Sequence, residues 1–234
     1  MKRRQQRTLV ILLTMGMFIG VLALAAVGFR TQTARAEVEE AMYTLIEKKD
    51  GYELRAYAPQ ILARVKIGGR VEGAMNRGFG PLAGYIFGGN RKRLPDGSLA
   101  EESQKIAMTT PVTMETKAPE GDGEHWVAFT MPSEYSMETL PAPRDEAVQL
   151  EAREAYTAAA IRFSGGGGMS AMREHEALLR ACLKRDGVEV TGEPVYARYD
   201  PPWTLPILRR NEVILPVKRE PGSKTGEVED TQAE

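Results

Sequence analysis

Two short segments of this chain match each other in kind and in place. Val65-Lys66-Ile67-Gly68-Gly69 and Ile161-Arg162-Phe163-Ser164-Gly165 each close an apolar run that reads as a strand, and each stands before a run with helical spacing. Alternation at period two marks a half-buried strand, whereas apolar residues three and four apart mark a half-buried helix. After the first junction come Val71, Met75, Phe79, Leu82 and Ile86, closed by Gly88-Gly89, with Pro81 predicting a break or kink. After the second, a Gly165–Gly168 hinge opens a helix over Ser170–Arg185, with Ser170 as the expected N-cap and Asp186-Gly187 as the stop. Two strands separated by a proline-bearing loop follow the helix each time. Strand–helix–strand–strand, used twice, predicts an α+β fold: a pseudo-twofold sheet or barrel with both helices outside.

The remaining strands follow from local signals. Tyr43–Lys48 and Tyr52–Tyr57 flank Asp50-Gly51, a hairpin turn. Gln60–Ile67 puts Ile61, Ala63, Val65 and Ile67 on one face. Further strands are expected over Ile106–Glu115, His125–Met131, Val148–Glu154, Thr157–Phe163, Glu193–Tyr199 and Glu212–Val217.

Charge is unevenly spread. Residues 1–36 hold six of the 31 basic residues and none of the 32 acidic ones, so the rest carries an excess of seven acids. A body of that sign is a poor phosphate-backbone partner, and nucleic acid is not expected. Within residues 1–36, a basic start precedes the uncharged run Thr8–Gly28, long enough to cross a bilayer. The basic flank predicts a cytoplasmic N-terminus and an extracytoplasmic body. Ala34-Arg35-Ala36 offers a signal-peptidase site before Glu37. Two expectations stand side by side: an uncleaved membrane anchor, or a signal segment removed after Ala36 to leave a secreted or periplasmic body. Residues 37–42 read as a linker, 43–218 as the domain and 219–234 as a disordered acidic tail.

Catalytic templates are hard to place. The only histidines are His125 and His175, the only cysteine is Cys182, and no nucleophile, metal or phosphate-loop motif occurs. His175 lies at the edge of an apolar helix face and reads as a packing residue, as does His125 beside Trp126. No enzyme is expected, with carboxylates such as Glu53 or Glu212 the remaining candidates for one. Met108, Met114 and Met131, with Trp126, Trp203, Tyr85 and Phe87, either line an apolar cleft for a flat ligand or simply fill a core.

Several blocks then read together. They are Tyr52-Glu53-Leu54-Arg55-x-Tyr57, the run Phe79-x-Pro81 to Asn90, Lys105-Ile106-Ala107-Met108-Thr109-x-Pro111-Val112, Phe129 to Ser133, Tyr199-Asp200-Pro201-Pro202-Trp203 and Arg209 to Val213. In this order they resemble the SOUL haem-binding protein family over about residues 43–218. The resemblance implies a distorted antiparallel β-barrel with two external helices, binding haem or another porphyrin non-covalently. Family members with a proposed axial histidine carry it between the arginine and tyrosine of the first block, where this chain has Ala56. Binding without an axial histidine, in a shallow groove beside the first helix, maps onto Arg77, Gly80, Gly84 and Tyr85, with the Trp203 loop nearby. Arg77 would pair with a propionate and the others would offer a flat surface. The expected function is an exported or membrane-tethered tetrapyrrole binder, serving as a buffer or carrier. The alternative is the same scaffold taking another apolar small molecule or a protein partner.

Overall fold

The computed structural model describes residues 38–118 and 120–218. The Thr8–Gly28 run, the Ala34–Ala36 site and the tail from 219 lie outside them. Among the described residues no helix is long and apolar enough to cross a membrane.

Nine strands form one antiparallel sheet. In chain order they are β1 (Tyr43–Lys49), β2 (Tyr52–Tyr57), β3 (Gln60–Arg70), β4 (Val112–Thr116), β5 (Asp122–Thr130), β6 (Val148–Arg153), β7 (Tyr156–Phe163), β8 (Val195–Arg198) and β9 (Asn211–Pro216). Helix α1 (Ala74–Ile86) follows β3 and helix α2 (Met169–Arg185) follows β7. The β1–β2 hairpin turns on Gly51 at φ 93°, a conformation that suits glycine. Strand bounds differ from expectation mainly at the glycines: Gly68-Gly69 does not stop β3, because both residues stay paired with β5 as far as Arg70. The α2 N-cap is the extended Gly168, with no side-chain cap, rather than Ser170.

The hydrogen-bonded order is β6-β3-β5-β4-β8-β9-β7-β2-β1. About the β4–β8 pair the order is symmetric: β5 answers β9, β3 answers β7, and β6 answers β2. Each half has exchanged its leading strand, so β2 pairs with β7 and β6 pairs with β3. Yet β2 runs into β3, and β6 into β7, through only two residues each, Ala58-Pro59 and Glu154-Ala155. Links that short join strands standing six places apart, so the sheet must curl until its ends nearly meet.

The curl does not become the expected barrel. Strands β6 and β1 remain unpaired edges of the ladder. A closed ring would need β6 beside β1, but β6 pairs only with β3 and β1 only with β2 in this sheet. The ends are tied by the two short covalent links instead, and beside them the paired Tyr57 and Tyr156 of β2 and β7 stack with centroids 4.9 Å apart.

Both helices pack into one core cluster on one face of the sheet. Val71, Met75, Leu82 and Ile86 of the first helical run are buried there with Met172, Leu179 and Leu183 of α2. Phe79 departs from the predicted buried face. It is 37% exposed and meets Phe129 edge-on at 5.4 Å. The methionines resolve toward core: Met114 and Met131 are buried in that cluster and Met108 packs against it. Trp126 lies on the opposite face, under the Arg64 guanidinium at 4.1 Å.

Candidate functional site

Helix α1 carries an unusual glycine content, and its glycines sort by what they face. A Cβ at Gly78 would stand 2.5 Å from Val127 Cβ, so close packing on β5 excludes a side chain there. Gly80 precedes Pro81, whose ring disfavours a Cβ on the preceding residue in helical conformation. Gly84 has neither reason: an added Cβ would meet nothing within 4 Å, and the residue is exposed. An exposed helix glycine costs about 1 kcal/mol relative to alanine. Packing does not explain why one is kept at this position.

Arg77, Gly80, Gly84 and Phe87 follow one another at spacings of three, four and three, and all four are exposed. They form a strip about 15 Å long at 1.5 Å per residue. One end is cationic, the middle lacks side chains and the other end is an aromatic ring 60% exposed. Arg77 is not a loose surface cation. Its guanidinium donates to the carbonyls of Arg70 (2.7 Å), Glu72 (3.1 Å) and Gly68 (3.4 Å), which fixes it at the turn between β3 and α1.

The other expected site residues divide. Tyr85 is 1% exposed, its hydroxyl donating to the Pro141 carbonyl at 2.8 Å, so its ring belongs to the core and not to the strip. Burial pushes that hydroxyl above the ordinary tyrosine range and keeps it a donor. Trp203 is 79% exposed. Its loop follows Arg198, which donates both to the Gly167 carbonyl and, at 3.4 Å, to Asn76 beside Arg77.

Neither histidine joins the strip. His125 is fully buried, its ring nitrogens 2.8 Å from Thr116 Oγ1 and 2.8 Å from the Gly69 carbonyl. His175 stacks on Phe163 at 3.8 Å and contacts the Ala171 carbonyl. Ala56 lies between Thr44 and Thr157 in the ladder, on the face shared with Leu54 and opposite Arg55. Among the described residues no group of three His, Cys, Asp or Glu side chains could hold a metal ion.

Sequence reasoning missed a buried charge network on the face away from the helices. Arg55 is 2% exposed and Glu212 is 0% exposed. Arg55 grips both Glu212 oxygens, at 2.7 and 3.2 Å, and reaches Glu53 Oε2 from Nε and Nη2. Tyr199 and Arg210 complete the shell around Glu212, each at 2.9 Å. Burial by itself would push the Glu212 carboxyl up, but the bonds and charges of Arg55, then Arg210, hold it below the usual range. Arg55 and Glu212 are 157 residues apart in sequence, and only the exchanged strand β2 brings them together. The one available signal was that each falls within a family-like block.

Comparison with known proteins agrees with this architecture. The family model for the SOUL heme-binding protein matches residues 38–216. "Heme-binding protein 1" of Mus musculus is 31% identical over 170 residues, covering 70% of this chain and 83% of that protein. "Heme-binding protein 2" of Mus musculus is 30% identical over 176 residues, covering 73% and 80%. Among solved structures, the EcmrR C-terminal domain superposes with a TM-score of 0.55 at 12% identity, covering 76% of this chain and 99% of that one. That last likeness concerns the fold alone.

Proposed function

Because the chain belongs to the SOUL haem-binding protein family, we propose that its body binds a tetrapyrrole non-covalently, without an axial histidine, on the outer strip of α1. The observation that carries this is Gly84, an exposed helix glycine with open space above it. A planar macrocycle needs such a bare surface, and Phe87 supplies an aromatic end for it. Arg77, fixed by three backbone carbonyls, is placed to pair with a propionate through its remaining donors. Haem would bring its iron to a surface with no histidine beside it, so affinity rests on the ring and its carboxylates.

Iron-free protoporphyrin is therefore expected to bind within about tenfold of haem, a difference of 1.4 kcal/mol. Fluorescence titration of porphyrin and Soret titration of haem measure this. Gly84→Leu, which fills the open space, should weaken both ligands at least tenfold with the melting temperature unchanged or raised. Arg77→Ala should weaken both less. Unaltered affinity in Gly84→Leu would remove the strip from consideration. A Soret shift in His175→Ala with the fold intact would make that histidine a ligand.

A second reading gives the scaffold to another apolar ligand or to a protein partner, favoured by Ala56 standing where the proposed histidine would be and by the exposed Trp203. Binding of neither haem nor porphyrin below about 100 μM, near 5.5 kcal/mol, selects it. The basic flank and apolar run before residue 36 support a body held or released outside the cytoplasmic membrane. N-terminal sequencing of the mature protein decides between them: a start at Glu37 means release, and an intact Thr8–Gly28 run means tethering.

A further inference from the structure

On the sheet face away from the helices, the structure opens into a cleft of about 650 Å³ between β1, β2, β7 and the turn Pro206–Leu208. Its lining is basic, with five Lys or Arg residues and one acid, on a body whose overall excess is acidic. Arg55, at its floor, has every donor nitrogen engaged by Glu53, Glu212 and Tyr57. Lys48 and Arg162 differ. Both are exposed, and among the described residues neither has an acid or hydrogen-bond partner.

The register shows why they are left over. Lys48 stands opposite Glu53 on β2, and Glu53 turns its carboxylate to Arg55. Arg162 stands opposite Glu212 on β9, whose oxygens are taken by Arg55, Tyr199 and Arg210. The buried network thus consumes the acids that would have neutralised the mouth of the cleft. Apolar surface lies directly beside the two cations. Ala160 is the buried floor of β7, and Ile207, 76% exposed, stands with Leu208 at the lip, while Phe163 closes the end of the cleft with its ring turned to His175 on the helix side. The lip is a built turn: the Gly165 amide donates to the Pro206 carbonyl, and Arg209 Nε donates to the Thr204 carbonyl.

We propose that this cleft is a second binding site, for an acidic amphiphile whose carboxylate sits between Lys48 and Arg162 while its apolar body lies along Ala160, Ile207 and Leu208. Its volume falls in the range of small-ligand sites, and a few fixed charges on an apolar wall are the usual means of orienting such a ligand. The site is separate in place from the α1 strip, which lies on the helix side of the sheet. A long-chain fatty carboxylate and the dicarboxylate edge of a porphyrin share this chemistry, and the experiment separates them.

The full chain in a neutral maltoside is exposed to dodecanoate bearing a terminal diazirine, and to the matching alcohol, then photolysed and mapped by peptide mass spectrometry. The carboxylate should label the peptide containing Ile207 at least tenfold more than the alcohol does. Lys48→Glu/Arg162→Glu should remove that preference while melting as the wild type does. Equal labelling by both probes, or an unchanged preference in the double variant, overturns the site. Porphyrin binding reads the strip independently. If it survives in the double variant and fails in Gly84→Leu, the two sites are distinct. If it fails in the double variant and survives in Gly84→Leu, the cleft stands as the tetrapyrrole's own site and the strip reading falls.

Discussion

Replacing Arg55 with methionine lowers the free energy of unfolding by about 3–5 kcal/mol, the loss expected when one member of a buried ion pair is removed. For a domain of this size that is a drop in melting temperature on the order of 10 °C. The cause is Glu212, which has no exposed surface and would keep only Arg210 and Tyr199 as partners. Arg55→Met/Glu212→Leu should recover most of the loss, because apolar residues of similar volume need no partners. Denaturant titration of both single variants and the double measures the coupling, and an additive result would show that the pair is not a unit. The acid dependence follows in sign. The Glu212 carboxyl is held below its unfolded value, so the unfolded chain binds its proton first as pH falls. Its contribution is full above the ordinary glutamate range and disappears as pH drops through the lower folded value. Arg55→Met should therefore lose less stability on acidification than the wild type.

The glycines of α1 give the second large effect, and its sign changes along one helix. Gly78→Ala should destabilise by about 1–3 kcal/mol, since the new methyl overlaps Val127 and the packed sheet must yield. Gly84→Ala should stabilise by up to about 1 kcal/mol, because it gains helix propensity and meets nothing. Gly80→Ala should fall between, propensity offset by contact with Pro81. Urea unfolding of the three variants at one pH is sufficient. A loss at Gly84 equal to that at Gly78 would mean that the strip is covered and cannot receive a planar ring.

The legible part of this fold was the part written at short range. The Asp50-Gly51 hairpin, the apolar stripe of Val71, Met75, Leu82 and Ile86, and the strand–helix–strand–strand repeat can all be read from spacing, and each stands in the structure. The failures are at long range or depend on a single angle. Phe79 fits the apolar spacing, but it falls at the rim of the buried stripe and so is left partly outside. Tyr85 matched a block thought to face the ligand, whereas its direction is set by Pro141, 56 residues away. The barrel was expected to close because the family resemblance implied it, and nothing in the sequence says that β6 and β1 stay unpaired at the two ends of the ladder. Lys48 and Arg162 drew no notice because an unpaired cation is defined by what its neighbours already bind, and those neighbours come from distant strands.

The two-residue links have a consequence for how the chain is made. Strand β2 leaves the ribosome with only its hairpin partner β1, and its other edge must wait for residues 156–163, about a hundred residues later. Until then Arg55 has no Glu212, and the first half cannot seal its own sheet. Folding is thus pushed toward the end of synthesis, the slow regime of non-local pairing. Under the export proposed above, lateness of this kind would keep the polypeptide threadable while it is being handed over.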